Sequence, residues 1–367
     1  MVAPTASPFS FAVEPAHNAL YSLLLLIVTD ELSGLDPWVA RTAAELTPEQ
    51  RHTNLLVLNG LYHATVPDRS WPSFPAYVDY LATLDPTVLR NRIFNAYAQR
   101  EPEADGCRYC AIPDPLRVQT SLNVDLLLGD VDAFLNFLRE RFPVEKLHVE
   151  IEAEAHEYLN DPPAMQSLIV SHLRSMWENV LSSEWDRVVP MVQASVDAFR
   201  QLDYSALSNL QAIQQMIGKE LDEEWEPVFE EMERIVFVPS THVGPYAGKF
   251  RSGDTLWVVF GARIPEGARV HAPDLSRAEI LVRLSALADD TRLRILRLIS
   301  EGGELRSQDI MTGLELSQSA TSRHLKQLSA TGYLSERRCE GSKCYILNPK
   351  RVEDTLRAVS AFLSGKK

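Results

Sequence analysis

Over roughly the first 230 residues, apolar positions recur at three- and four-residue intervals, the period of a helix with one buried face. Asn18 to Leu32 is one such stretch. Thr47-Pro48-Glu49-Gln50 opens a second: Thr47 can cap, Pro48 suits the first helical position, and Gln50 completes a capping box. Asp130 to Arg141 sets Val131, Phe134, Leu135 and Leu138 on one stripe. Pro163 to Leu181 does the same with Met165, Leu168, Ile169, Leu173, Met176 and Val180. Val188 to Leu202 and Ala206 to Ile217 complete the helical part.

The pattern then changes. Arg234 to Pro239 and Thr255 to Phe260 are short β-branched and aromatic runs, separated by the polar, Gly-containing segment Ser240 to Asp254. They predict a small strand pair. Pro265 to Pro273, carrying Pro, Gly and Ala, reads as a linker. The expected organisation is therefore a mostly helical domain over 1–270 and a second domain over 275–365.

Helical spacing returns after the linker, in shorter units. Ser276 to Glu279 reads as a capping box, with Ile280, Leu281, Leu284 and Leu287 forming an apolar face. Asp289-Asp290 ends that helix and caps the next, which buries Leu293, Ile295, Leu296 and Ile299. Gly302-Gly303 is a break. Ser307 starts a short helix, Gly313 to Leu316 makes a tight turn, and Ser317 caps a helix running to about Thr331, where Gly332 supplies the stop. Two short helices around a tight turn are the helix-turn-helix pattern. Tyr333 to Arg338 and Lys343 to Leu347 then read as a hairpin around Glu340-Gly341-Ser342. Pro349 opens a last helix with Val352, Leu356, Val359, Phe362 and Leu363 apolar.

The second helix of the pair carries Gln318, Ser319, Thr321, Ser322, Arg323, Lys326 and Gln327 on faces not needed for packing. Gln and Arg can pair bidentately with base edges, and Ser, Thr and Lys suit phosphate oxygens. Arg337, Arg338 and Lys343 sit near the hairpin tip, where a basic wing would lie along a DNA backbone or in the minor groove. A solvated amphipathic helix and an ordinary hairpin are the plainer alternatives.

The net charge of −14 alone argues against nucleic acid, but its distribution does not. Residues 275–367 hold 16 Lys and Arg against 11 Asp and Glu, so a basic segment follows an acidic body. Four cysteines, Cys107, Cys110, Cys339 and Cys344, are too few for a disulfide framework in 367 residues. Cys107 and Cys110 have the spacing of half a zinc site, and no second Cys-x-x-Cys completes it; His156 is one distant histidine that the fold would have to bring in. They are weak metal candidates, and the plainer reading is a loop with two thiols. Cys339 and Cys344 lie on opposite wing strands, where a disulfide switch is one reading and two small residues the other. The apolar run Leu20 to Val28 is too short to span a bilayer and lacks a basic flank, so a soluble cytoplasmic protein is expected, with no membrane partner.

The run Leu287-Ala-Asp-Asp-Thr-Arg-Leu-Arg-Ile-Leu296 resembles the signature that opens the DNA-binding fold of the ArsR family. Ser317-Gln-Ser-Ala-Thr-Ser-Arg-His-Leu-Lys-Gln-Leu328 resembles its recognition helix. Thr331-Gly-Tyr-Leu334, with Arg337-Arg338 through Lys343-Cys-Tyr345, resembles its wing. The similarity covers about a quarter of the chain, with the motifs in order. It implies a winged helix-turn-helix, a homodimer joined by the first and last helices of the module, binding to double-stranded DNA at two half-sites, and a repressor more than an activator. Two metal sites known in the family are not matched. The first helix of the pair, Ser307 to Gly313, holds no Cys or His, and the last helix has Glu353 and Asp354 but no His. Neither a metal nor another cofactor is expected in this module, and His324 is expected to pack or to contact DNA.

For residues 1–270 two readings stay open: a dimerisation or scaffolding body, or a domain sensing a small-molecule effector. Trp38, Trp71, Tyr80, Trp177, Trp185 and Trp257 are core candidates or pocket candidates. Glu150, Glu152, Glu154 and His156 alternate with small and apolar residues as on a surface. The sequence lacks Gly-x-Ser-x-Gly, Gly-x-Gly-x-x-Gly, a phosphate-binding Gly-rich loop and His-Glu-x-x-His, so an enzyme is not expected. The fold class expected is mainly α, with a helical N-terminal domain and a C-terminal α+β winged helix-turn-helix. The function expected is a sequence-specific transcriptional regulator; the alternatives are a winged-helix protein-interaction module and an enzyme-like domain fused to a regulator.

Overall fold

The computed structural model describes residues 9–98, 122–142, 147–204, 207, 209–218, 232–265, 268, 273–339 and 342–364. Cys107 and Cys110, the start of the helix expected from Ala206, parts of the 265–273 linker, and Glu340 and Gly341 at the wing tip lie outside the described residues. The fold is mainly helical among the described residues, with two small sheets. Among the described residues no helix is long and apolar enough to cross a membrane.

The body contains α1 (Pro15–Leu25), α2 (Pro37–Glu45), α3 (Pro48–Leu55), α4 (Phe74–Thr83), α5 (Pro86–Ala98), α6 (Val124–Gly129), α7 (Val131–Arg139), α8 (Val149–Asn160), α9 (Pro162–Met176), α10 (Ser182–Phe199) and α11 (Asn209–Ile217). Four of these helices start alike. Asp36, Thr47, Ser73 or Asp161 accepts an early backbone N–H, and a proline sits in the first turn, where its missing N–H leaves no bond unmade. The Thr47–Gln50 capping box forms as expected. Asp130 caps α7, which buries Phe134, Leu135 and Leu138. The helix expected from Pro163 to Leu181 tightens its hydrogen bonding only as far as Met176; a wider π turn, Trp177–Leu181, joins it to α10. The alternation at Glu150 to His156 is not a surface pattern. That segment is α8, and its 3.6-residue period turns Glu152 and His156 inward with Ile151 and Ala155.

The strand pair expected after the helices belongs to a larger sheet. β1 (Phe9–Phe11), β2 (Arg234–Ser240), β3 (Ala247–Ser252) and β4 (Thr255–Gly261) form it, in the order β1-β2-β4-β3. The two apolar runs do pair, but in parallel, and β3 lies inside the segment read as a polar spacer. Both faces of β2 and β4 are covered, which explains their unbroken apolar runs. Ile235, Phe237, Leu256, Val258 and Phe260 face α10 and α11. Val236, Val238, Trp257 and Val259 face the larger helical core. A buried chain ties the layers: Ser22 of α1 lies 2.7 Å from His242 Nδ1, and His242 Nε2 lies 2.8 Å from Glu184 of α10. Trp38 stacks on His242 and Trp257 on His17, so these two tryptophans serve the core.

The C-terminal part has its own core around Ile295, Ile299, Ile310, Leu325, Leu328 and Tyr333. It runs α12 (Pro273–Leu287), α13 (Asp290–Gly302), β5 (Glu304–Arg306), α14 (Ser307–Leu314), α15 (Gln318–Ala330), β6 (Leu334–Cys339), β7 (Ser342–Leu347) and α16 (Pro349–Ser364). This is a winged helix-turn-helix. Ser276 does not cap α12, because the helix already begins at Pro273 and Ser276 lies within its first turns. β5 is too short to leave a periodic signal, yet it completes the wing sheet in the order β5-β7-β6.

Candidate nucleic-acid interface

The two helices of the motif are set by their ends. Glu315 closes α14 in the left-handed region at φ 54°, and Ser317 Oγ accepts the Ala320 N–H at 3.3 Å to start α15. Gly332 follows at φ 78°, the left-handed stop that the sequence predicts. Asp289 caps α13 by accepting the Arg292 N–H at 2.9 Å. Arg292 turns back and donates to the carbonyls of Ser285 and Ala286, each at 2.7 Å. The Asp-x-x-Arg of the signature run therefore caps one helix at its start and the preceding helix at its end. That role of Arg292 was not read from the sequence.

Of the seven polar residues expected on the outer faces of α15, Gln318, Ser319, Ser322, Arg323 and Lys326 are exposed. Thr321 and Gln327 are not. Thr321 precedes Leu325 and Leu328 by one and two turns, so the core stripe carries it inward, and its hydroxyl donates to the Ser317 carbonyl at 2.9 Å. Gln327 is 2% exposed for a different reason. The connection between α1 and α2 lies against it: Ser33 donates its hydroxyl to the Gln327 amide oxygen, and Gly34 packs on the same side chain. Next to it, Lys326 Nζ stands 3.7 Å from Glu31. Tyr246 braces the connection, its hydroxyl donating to the Ser33 carbonyl at 2.8 Å. His324 packs: it is 8% exposed, and burial pulls its imidazole below the ordinary histidine range.

The wing exposes Arg337, Arg338 and Lys343. Arg338 and Lys343 are cross-strand partners. Arg337 forms an ion pair with Glu304 of β5, and Lys343 Nζ lies 3.3 Å from Glu336. Cys339 and Cys344 are free thiols, set diagonally: Cys339 faces Ser342, and Cys344 faces Arg337. Their sulfurs and a Glu304 carboxylate oxygen lie within 4.8 Å of one another. Hydrogen bonding to Cys344, then to Glu304, pushes the Cys339 thiol up to about 12. Arg337, then the Cys339 thiol, holds the Glu304 carboxyl down at about 2. A wing surface with a protonated Cys339 thiol and carboxylate-held cations results.

The family model described as bacterial regulatory protein, arsR family, matches residues 289–336, from the Asp289 cap to the first half of the wing. The chain is 47% identical over 64 residues to the arsenic resistance transcriptional regulator ArsR1 of Pseudomonas putida, 17% of this chain and 50% of that protein. It is 46% identical over 63 residues to the arsenical resistance operon repressor of Escherichia coli, 17% of this chain and 54% of that protein. It is 38% identical over 86 residues to the regulator ArsR2 of Pseudomonas putida, 22% of this chain and 75% of that protein. The chain thus spans about half the length of the first two relatives and three-quarters of the third. No solved structure matches it. With the helix-turn-helix, its caps and its wing in the matched region, the chain belongs to the arsR family of bacterial regulatory proteins.

Proposed function

We propose that the protein is a sequence-specific, cytoplasmic DNA-binding transcriptional repressor, acting as a homodimer, with residues 275–365 as the DNA-binding domain and 1–270 as a domain that senses a small-molecule effector. The observation that carries the proposal is the exposed row Gln318, Ser319, Ser322 and Arg323 on α15, beside the basic wing. In this reading Gln318 and Arg323 read base edges in the major groove, Ser319, Ser322 and Lys326 hold phosphates, and Arg337, Arg338 and Lys343 follow the backbone. Thr321 and Gln327 support the helix and do not touch DNA. The repressor assignment draws on the name of the Escherichia coli relative.

The homodimer rests on α12 and α16, which pack on each other. Leu281 is 53% exposed, Leu356 59%, Phe362 46% and Leu363 77%, an apolar surface that a second copy would cover. Effector control rests on the contact of the α1–α2 connection with Lys326 and Gln327, which links the body to the reading helix. The test is binding to the DNA upstream of its own gene, against a scrambled duplex of equal length. Tighter binding to the upstream fragment supports the proposal. Equal, feeble binding to both, with or without cell extract as a source of effector, counts against it.

A further inference from the structure

A cleft of about 550 Å³ separates the sheet from the winged helix-turn-helix. One wall is the C-terminal ends of parallel strands β2 and β4, at Ser240 and Gly261, together with the first half of α10. The other is α12, the end of α15 and the start of α16. The crevice beyond the carboxyl ends of parallel strands is the usual ligand position in open α/β sheets, and this volume lies within the range of small-molecule sites.

Its lining is unbalanced in charge. Five arginines, Arg187, Arg263, Arg277, Arg283 and Arg351, face it with two carboxylates, Asp36 and Glu279. Glu279 is shared: Arg283 pairs with it, and Arg263 Nη1 lies 3.6 Å away. Arg263 Nε and Arg283 Nε are buried with no hydrogen-bond partner among the described residues. Arg351 donates Nε to the Thr331 carbonyl at 2.8 Å. Burial first, and then the neighbouring Arg283, pulls the Arg351 guanidinium down to about 10. Arg187 is paired with Glu184, and Arg263 Nη2 donates to the Gln215 and Met216 carbonyls. The excess positive charge therefore rests mainly on Arg277, Arg283 and Arg351, whose planar forks match carboxylate and phosphate oxygens.

We infer that this cleft binds a small polyanion of phosphate or carboxylate chemistry, bridging Arg263 of the body to Arg277, Arg283 and Arg351 of the winged helix-turn-helix. The site names the effector class for the domain proposed above, and only its regulatory consequence rests on that reading. Because the ligand touches both parts, its binding and DNA binding change each other by the same factor.

The test uses the full chain without DNA, so that failure here and failure of DNA binding are separable. Pyrophosphate and citrate are titrated separately by calorimetry and thermal melting, with ionic strength held constant by sodium chloride. The expected result is a saturable one-to-one heat and a raised Tm with at least one probe; the preferred probe identifies phosphate or carboxylate chemistry. Arg277→Gln, at an exposed position, and Arg283→Gln each weaken binding about tenfold. Glu279→Gln, which removes the competing carboxylate, strengthens it by roughly the same factor. Saturable binding that ignores all three substitutions, or melting that follows ionic strength alone, overturns the inference.

Discussion

Ser33 donates its hydroxyl to the side-chain amide oxygen of Gln327, a bond that links the α1–α2 connection to the helix proposed to read DNA. Gly34 is required beside it. Its φ is +83°, and a Cβ there would stand 2.7 Å from Gln327 Nε2. Glu31, on the same connection, holds the Lys326 ammonium. In this arrangement a lysine suited to phosphate is already paired with a carboxylate of its own chain.

Loss of that hold is expected to favour DNA. Glu31→Ala and Ser33→Ala should each raise DNA affinity about twofold to tenfold, the range of an exposed ion pair and of one hydrogen bond. Fluorescence anisotropy on a duplex carrying the operator reads the change. Affinities equal to the parent's would separate the α1–α2 connection from DNA control.

The C-terminal fold was legible because its signals are local. Caps at Asp289 and Ser317, the stop at Gly332 and the apolar stripes each lie within one element. Burial of Gln327 was not legible, since it depends on Ser33, almost 300 positions away in sequence. The sheet was legible only in part, for a related reason. The runs of β2 and β4 read as strands, but β1 joins β2 from the other end of the body and β3 lies in a polar, Gly-containing segment. The arginine cleft is likewise assembled from separate segments, none of which is remarkable for charge by itself.

Self-association through α12 and α16 predicts a clear effect of charge there. Leu356→Glu, at a position already 59% exposed, should leave the fold intact and convert dimer to monomer in sedimentation equilibrium. Operator binding should weaken with it, because two half-sites are then engaged separately. A Leu356→Glu dimer as tight as the parent's would place the interface elsewhere.

The body should weaken in mild acid through His172. Burial holds this imidazole down at about 4, and its Nε2 donates to Asn54 Oδ1 at 3.1 Å. The unfolded chain titrates the same group near 6.5. The unfolded state therefore takes up a proton that the folded state refuses. This contribution is flat above that range, falls as pH drops from about 6.5 to about 4, and levels off below. Its span is on the order of 3 kcal/mol. Urea melts of parent and His172→Gln across this range should show a shallower slope in the variant; parallel curves would remove His172 as the source.

Tyr333 ties three elements of the module. Its hydroxyl lies 3.1 Å from the Arg283 carbonyl of α12 and 3.0 Å from Thr355 Oγ1 of α16. Tyr333→Phe keeps the ring in the core and loses the hydroxyl, so a loss of about 1 kcal/mol in chemical denaturation is expected. No loss at all would mean that the carbonyl and Thr355 find other partners.

The central claim is that α15 reads sequence and the wing holds the backbone. The most direct measurement is a salt series of binding constants for the parent, Arg323→Ala and Arg338→Ala on the operator and on a scrambled duplex. The parent should lose affinity linearly in log salt. Arg323→Ala should lose about 1–3 kcal/mol of discrimination between the two duplexes. Arg338→Ala should weaken binding to both alike and reduce the salt slope by about one. Parent-like discrimination in Arg323→Ala together with parent-like affinity in Arg338→Ala would contradict the account.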